Sequence, residues 1–252
     1  MRVQVVIPAR LASTRLPQKM LRIVGGKSIL RHTYESASRS GVASGVIAAV
    51  DDPLLAREVE SFGGTFRMTS PACPSGTDRV AEVALGLPEM EIFVNVQGDE
   101  PEIDPAAIDL VAQTLIDHPE ADMATVAKPI RDARVLADPN CVKIVMGQQN
   151  RAILFSRAPV PYARDGITQE WLDREPPLYW HHVGLYAYRR DFLLWFTRQP
   201  PAAIEQVEKL EQLRAIEAGR PIFVARIEHA AAGIDTLEDY LAFKARFEGR
   251  SA

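Results

Sequence analysis

Residues 3–19 read VQVVIPARLASTRLPQK, and their reading decides that of the whole chain. VQVVI (3–7) is a short, mainly β-branched apolar run ended by Pro8, the pattern of a buried strand. The rest is a loop closed by a proline that carries Arg10, Arg15 and Lys19. In an open parallel sheet such a loop leaves the carboxyl end of a strand, where ligands bind. It contains neither GxGxxG nor GxxxxGK[ST], so neither the dinucleotide fingerprint nor the Walker loop applies. It can still cradle phosphates, because backbone N–H groups of Ala9, Ala12 and Ser13 lie between cations able to bridge phosphate oxygens. The alternative is a solvated loop whose arginines meet surface carboxylates.

Working outward, SILRHTYESASRSG (28–41) reads as a helix capped by Ser28, GVIAAV (45–50) as a strand, and PLLAREVESFGG (53–64) as a helix with proline in its first turn. TFRM (65–68), TDRVAEVALG (77–86), IFVNV (92–96) and PAAIDLVAQTLIDH (105–118) continue the alternation of strand and helix. That alternation predicts an α/β, doubly wound, mostly parallel sheet. The beat weakens after about residue 128. There NCVKIVM and AILFS suggest paired strands, 164–177 a surface excursion, and HHVGLYAYRR a further strand. Helices at 191–199 and 204–219, a strand at 221–227 and a final helix from Thr236 follow. One domain over 1–252 with an inserted lobe at about 130–190 is the expected organisation.

The 252 residues are 47% hydrophobic, enough for a sizeable core, and the formal net charge is −4. An acidic chain is not a general nucleic-acid or anionic-membrane binder, since those rely on many phosphate contacts. A cluster of cations on that background points to a discrete anionic ligand. Cys73 and Cys141 are far apart and in no metal spacing, which reads as two thiols in a reduced compartment. With no apolar segment of signal-peptide or membrane-spanning length, a cytoplasmic location is expected.

Three polar segments fall at expected strand ends: the first loop, QGDEP after IFVNV, and GIDT before the last helix. Asp99 at a sheet edge opposite a phosphate loop suits Mg2+, which needs only one or two protein carboxylates beside phosphate oxygens. A turn or cap acid is the competing reading. Asp235 could equally cap the last helix. In VEKLEQLRAIEAG, Glu208, Glu211 and Gln212 fall at i, i+3 and i+4 and share one face of a helix, with Leu210 and Leu213 nearly opposite. Spacing alone favours a solvated face. Alternation sends His181 and His182 to opposite sides of their strand.

The stretches IPARLASTRLPQKML, MTSPACPSGTDRVAEV, NVQGDEPEI, LFSRAPVPY, HHVGLYAYRRDFL, EKLEQLRAIEAG and GIDTLEDY occur in order over nearly the whole chain. Together they resemble the CMP-KDO synthetase family, the 3-deoxy-manno-octulosonate (KDO) cytidylyltransferases. The resemblance implies a Rossmann-like nucleotidyltransferase fold whose inserted lobe serves sugar binding and dimerisation. It implies transfer of CMP from CTP to the anomeric hydroxyl of KDO, with release of pyrophosphate, for lipopolysaccharide biosynthesis. Carried over residue by residue, Arg10, Arg15 and Lys19 match the triphosphate cations, with Ala9 beside them. Ser75, Gly76 and Arg79 match residues around cytosine and ribose, and Gln97 lies where nucleotide and sugar meet. Asp99 and Asp235 match the carboxylates holding Mg2+, two ions per site. His182, Tyr186, Glu208, Glu211 and Gln212 match the sugar pocket, and Arg157 and Arg164 are partners for the KDO carboxylate. A homodimer is also implied. Rival readings are a cytidylyltransferase for another acidic sugar, a non-catalytic nucleotide-binding regulator and a glycosyltransferase.

Overall fold

The computed structural model describes residues 1–249, and the chain divides into two compact units. The first comprises Met1–Asp109 together with the segment from Ala231 onward; the second is Leu110–Ala230. The stretch 130–190 lies inside the second unit, which extends beyond it on both sides.

The first unit begins with β1 (Val3–Ala9), all seven residues of which are buried. Gln4 is tolerated there because its amide donates to Gly45 O at 2.8 Å and Val5 O at 3.0 Å. A short hairpin, β2 (Ile23–Val24) and β3 (Lys27–Ser28), leads into α1 (Ile29–Ala37), capped by the Ser28 hydroxyl as expected. Then come β4 (Ala43–Val50), α2 (Pro53–Ser61), β5 (Phe66–Met68), α3 (Gly76–Leu85) and β6 (Ile92–Asn95); the division after Asp109 falls within the next helix, α4 (Pro105–Asp117). The strands run in the order β6-β1-β4-β5, all parallel. Strand order therefore reverses at β1: the chain steps outward through β4 and β5, then crosses back to pair β6 on the other side. Right-handed crossovers place α1 and α2 on one face and α3 on the other. The loops after β1 and β6 line one crevice, at the position where α/β sheets bind ligands. Pro8 lies beyond the last β6 partner of β1, the pair Val6–Asn95, so its missing N–H costs no bond on that side.

The second unit holds β7 (Met123–Pro129), α5 (Ala133–Ala137), β8 (Lys143–Met146), β9 (Ala152–Ser156), α6 (Gln169–Asp173), β10 (Trp180–Arg189), α7 (Arg190–Phe196), α8 (Ala203–Glu208), α9 (Leu213–Glu217) and β11 (Ile222–Arg226). β7 pairs β11 in parallel and β10 antiparallel, while β8 pairs β9 and β10 antiparallel. The chain then returns to the first unit with α10 (Leu237–Gly249). A mostly parallel sheet flanked by helices, the expected α/β class, is what the chain adopts.

One expectation is corrected. The single helix over 204–219 is broken into α8 and α9 by Lys209, which takes the left-handed conformation at φ 55°. Glu208 and Gln212 consequently do not share a continuous helical face. The excursion at 164–177 contains a helical turn, α6, capped by Thr168.

Candidate active site

The crevice at the carboxyl edge of the parallel sheet is an open pocket of about 350 Å³. Its lining includes Ala9, Arg10, Ala12, Ser13, Arg15 and Lys19 from the first loop, Ser75, Gly76 and Arg79 around the start of α3, Gln97 and Asp99, and Asp235. Residues separated by more than two hundred positions thus meet within one unit. Leu16 anchors the loop: it is 2% exposed and packs with Val24, Ile29, Ile234 and Phe243. Gln18, in the left-handed conformation at φ 51°, then turns the chain into a single 3₁₀ turn that begins at Lys19. Gly98 lets the Gln97–Asp99 segment approach β1, for a Cβ there would stand 3.0 Å from Pro8 O. Thr33 of α1 donates from Oγ1 to Gly98 O at 2.9 Å, and Ile234 N–H donates to Asp99 O at 2.9 Å. These bonds hold the segments bearing Asp99 and Asp235 side by side.

Lys19 is the centre of the charge arrangement. Its ammonium donates to Asp99 Oδ2 at 2.5 Å and to Asp235 Oδ1 at 3.1 Å, with a side chain only 10% exposed. Arg15 adds a second cation to Asp235 Oδ1 at 3.0 Å. Asp235 is not the cap of α10. That part is played by Thr236 and Asp239: Asp239 Oδ2 accepts from Thr236 N–H at 2.8 Å, and Asp239 N–H donates to Thr236 Oγ1 at 3.2 Å. The Asp235 carboxylate is left for Lys19 and Arg15. Burial, and then the charge of Asp99, push the neighbouring Glu100 carboxyl up to about 8.

One ammonium touching both carboxylates puts Asp99 and Asp235 within reach of a single cation. An oxygen-only pair of this kind fits Mg2+, which binds few protein groups and keeps water or phosphate in its other positions. Among the described residues no cluster of three or more His, Cys, Asp or Glu side chains could hold a metal ion.

Around the start of α3, the Ser75 hydroxyl caps the helix by accepting from Asp78 N–H at 3.2 Å. Arg79 is buried and donates to Thr69 Oγ1 at 2.6 Å and Asp51 Oδ2 at 3.2 Å. Gln97 donates from its amide to Asn95 Oδ1 at 3.5 Å. Cys73 also lines the pocket; burial, then its hydrogen bond to Glu82, push its thiol up to about 11. It is no nucleophile at neutral pH. Cys73 and Cys141 are both free.

The second unit carries the other candidates. His182 is buried on β10, and burial followed by the charge of His181 lowers its imidazole to about 3. It is therefore neutral. Thr125 Oγ1 lies 3.0 Å from His182 Nε2 and 2.9 Å from Leu185 O, joining the imidazole to the strand by a hydrogen bond. Tyr186 stands beside it, ring centres 5.3 Å apart. Glu208 accepts from Ser156 Oγ at 2.7 Å and from Arg157 N–H at 2.9 Å. Arg157 donates back from Nε to Glu208 O at 2.7 Å, and also to Pro139 O and Lys209 O. The two residues form a reciprocal clasp between the end of β9 and the break after α8. Arg164 is exposed on the segment before α6. Glu211 is part-buried, 3.9 Å from Arg214. Gln212 is 4% exposed, and its Nε2 is a buried donor with no partner among the described residues.

The sequence reading missed Asp51, Asp239 and the clasp. Asp239 carried a signal, a Thr followed three residues later by an acid at a helix start. Asp51 carried none, standing before Asp52, which caps α2.

A family model described as Cytidylyltransferase matches residues 4–225. A 3-deoxy-manno-octulosonate cytidylyltransferase of Rhodopirellula baltica is 63% identical over 250 residues, 99% of this chain and 100% of the relative. Its namesake from Geobacter sulfurreducens is 44% identical over 95% of this chain and 96% of the relative. Among solved structures, a CMP:2-keto-3-deoxy-manno-octonic acid synthetase complexed with CTP superposes with a TM-score of 0.91. It is 37% identical and covers 99% of this chain and 100% of that one. With its loop cations and paired carboxylates meeting at one sheet edge, the chain belongs to the cytidylyltransferase family, and within it to the 3-deoxy-manno-octulosonate branch.

Proposed function

We propose that the chain transfers CMP from CTP to the anomeric hydroxyl of KDO and releases pyrophosphate. The observation that carries this reading is the convergence of Lys19, Arg15, Asp99 and Asp235 on the pocket at the switch point of the sheet. The relatives, and the neighbour complexed with CTP, support it. The anomeric oxygen attacks the α-phosphorus, the bond to the β-phosphate oxygen breaks, and the hydroxyl proton leaves to water.

CTP carries about four negative charges, and more builds on the leaving pyrophosphate, so electrostatic stabilisation dominates. Arg10, Arg15 and Lys19 supply it from the first loop, with Ala9 at the loop's root and Ser75, Gly76 and Arg79 walling the nucleoside side. The Lys19 ammonium sits between two carboxylates in the chain alone, and an incoming triphosphate competes for it. Asp99 and Asp235 would hold Mg2+, which when bound neutralises phosphate charge and lowers the pKa of a coordinated hydroxyl.

KDO would be recognised by Gln212, Glu211, His182, Tyr186 and Arg164, while Gln97 lines the nucleotide pocket. The unpartnered Nε2 of Gln212 supports this, because a buried donor without an acceptor costs about 1–3 kcal/mol unless a ligand supplies one. Arg157 and Glu208, clasped to each other, would set that region.

A homodimer through the second unit fits its exposed Ile153, Tyr162 and Trp171. Light scattering would test it, one subunit mass at micromolar concentration counting against it. Free thiols suit a cytoplasmic enzyme. No helix among the described residues is long and apolar enough to cross a membrane. The decisive assay is pyrophosphate release from CTP with Mg2+ and a panel of acidic sugars. Release with KDO alone, or far faster with KDO, is expected; release with none of them would overturn the reading.

A further inference from the structure

We propose that Asp51 is a positioning residue of the nucleotide site, one that sets the phosphate loop through the Leu11 N–H and the first turn of α3 through Arg79. The assignment rests on the CTP reading above. Asp51 is the first residue past β4, whose last pair with β1 is Val50 opposite Ala9. It therefore emerges beside the start of the loop. Its Oδ1 accepts from Leu11 N–H at 3.0 Å, and its Oδ2 from Arg79 Nη2 at 3.2 Å. The guanidinium continues to Thr69 Oγ1 at 2.6 Å and Ser70 O at 3.2 Å. The Arg79 and Asp51 side chains are 5% and 12% exposed. A single pair thus joins the loop after β1, the ends of β4 and β5, and α3.

A buried ion pair is a weak source of net stability, because desolvation offsets its attraction. What it supplies here is direction. The peptide between Arg10 and Leu11 is planar and trans, so aiming the Leu11 N–H at Asp51 fixes the Arg10 carbonyl and the entry of the loop. The pairing also explains how an acid can stand beside a loop built for phosphate. Arg79 neutralises Asp51, and without it the carboxylate would repel the triphosphate. The consequence is an asymmetry. Losing Arg79 alone harms CTP binding more than losing both charges.

The test is calorimetric titration of CTP, without sugar, into the wild type, Asp51→Ala, Asp51→Asn, Arg79→Gln and the double variant Asp51→Asn/Arg79→Gln. Each is held well below its own melting temperature. Asp51→Ala is expected to weaken CTP tenfold or more. Asp51→Asn, which retains an acceptor for Leu11, should lose several-fold. The double variant should bind more tightly than Arg79→Gln, a non-additivity diagnostic of coupling. At saturating CTP, the KM for KDO in Asp51→Asn should stay within twofold of wild type. Wild-type CTP affinity in Asp51→Ala, even with a lowered Tm, would reduce Asp51 to a structural residue and overturn the proposal. Should Asp51→Ala fail to fold, unchanged affinity in Asp51→Asn together with additive effects in the double variant would overturn it equally. A wild type that binds no CTP would overturn the nucleotide reading and this assignment with it.

Discussion

Replacing Lys19 with Met probes the centre of the site with little change in volume. The variant removes an ammonium that donates to Asp99 at 2.5 Å and to Asp235 at 3.1 Å. Asp235 keeps Arg15 at 3.0 Å. Asp99 loses the only ion-pair partner seen for it among the described residues, with its own side chain 23% exposed. Breaking a fully buried pair costs about 3–5 kcal/mol, and an unpaired acceptor about 1–3. Water reaches both carboxylates, so about 2 kcal/mol is the expected loss, or roughly 4–8 °C in Tm for a chain of this size. Differential scanning fluorimetry with and without Mg2+ reads it, and Mg2+ should raise the Tm of the variant more than that of the wild type. Turnover should fall by roughly a hundredfold, with a smaller rise in the KM for CTP, since charge on the pyrophosphate peaks in the transition state. An unchanged Tm with no Mg2+ response would refute the shared ammonium. A raised KM with unchanged kcat would show that Lys19 serves ground-state binding alone.

Asp235→Asn should lower turnover by roughly a hundredfold with little loss of Tm, whereas Asp239→Ala, which removes the cap of α10, should cost about 1 kcal/mol of stability. Near-normal turnover of Asp235→Asn at saturating Mg2+ would dismiss the two-carboxylate site. Gln212→Met should raise the KM for KDO roughly tenfold while leaving the Tm equal or higher, because it removes a buried donor unpaired among the described residues. A lowered Tm with unchanged KM would make Gln212 a packing residue. The His182 imidazole lies near 3 in the folded chain against an ordinary 6.5. Between those values the unfolded chain binds more protons, so stability is complete above 6.5 and falls as pH drops, by up to about 1.4 kcal/mol per unit. His182→Gln should flatten the slope of Tm against pH between 6.5 and 4, and parallel slopes would contradict the assigned burial.

The first unit was legible where one signal dominated. Buried apolar runs gave β1, β4 and β6, although β1 runs on through Pro8 to Ala9, and Ser28 and Pro53 marked their helix starts. β7 was not read, because MATVAKP is buried at each of its first five residues, which leaves no alternation, and its Ala and Met suit a helix equally well. The break at Lys209 was invisible for a different reason. Lysine is a good helix former, and the left-handed turn is held by Arg157 and Glu208, one of them some fifty positions away. The ambiguity at Asp235 could be settled only by geometry: both a cap and a ligand place an acid before a helix, and the bonds of Asp239 decide between them.

That the first unit is assembled from both ends of the chain has a consequence during synthesis. Arg10, Lys19 and Asp99 leave the ribosome early, while Asp235 and the Phe243 that covers Leu16 follow the whole of Leu110–Ala230. At bacterial and eukaryotic elongation rates the delay is on the order of ten seconds. The second unit is continuous and can fold during that interval. The nucleotide pocket cannot, so a nascent chain stalled before Ile234 would expose Leu16, Val24 and Ile29 without their cover. Such intermediates are where chaperone engagement and aggregation should concentrate, and where slowing translation after residue 230 would do the most harm.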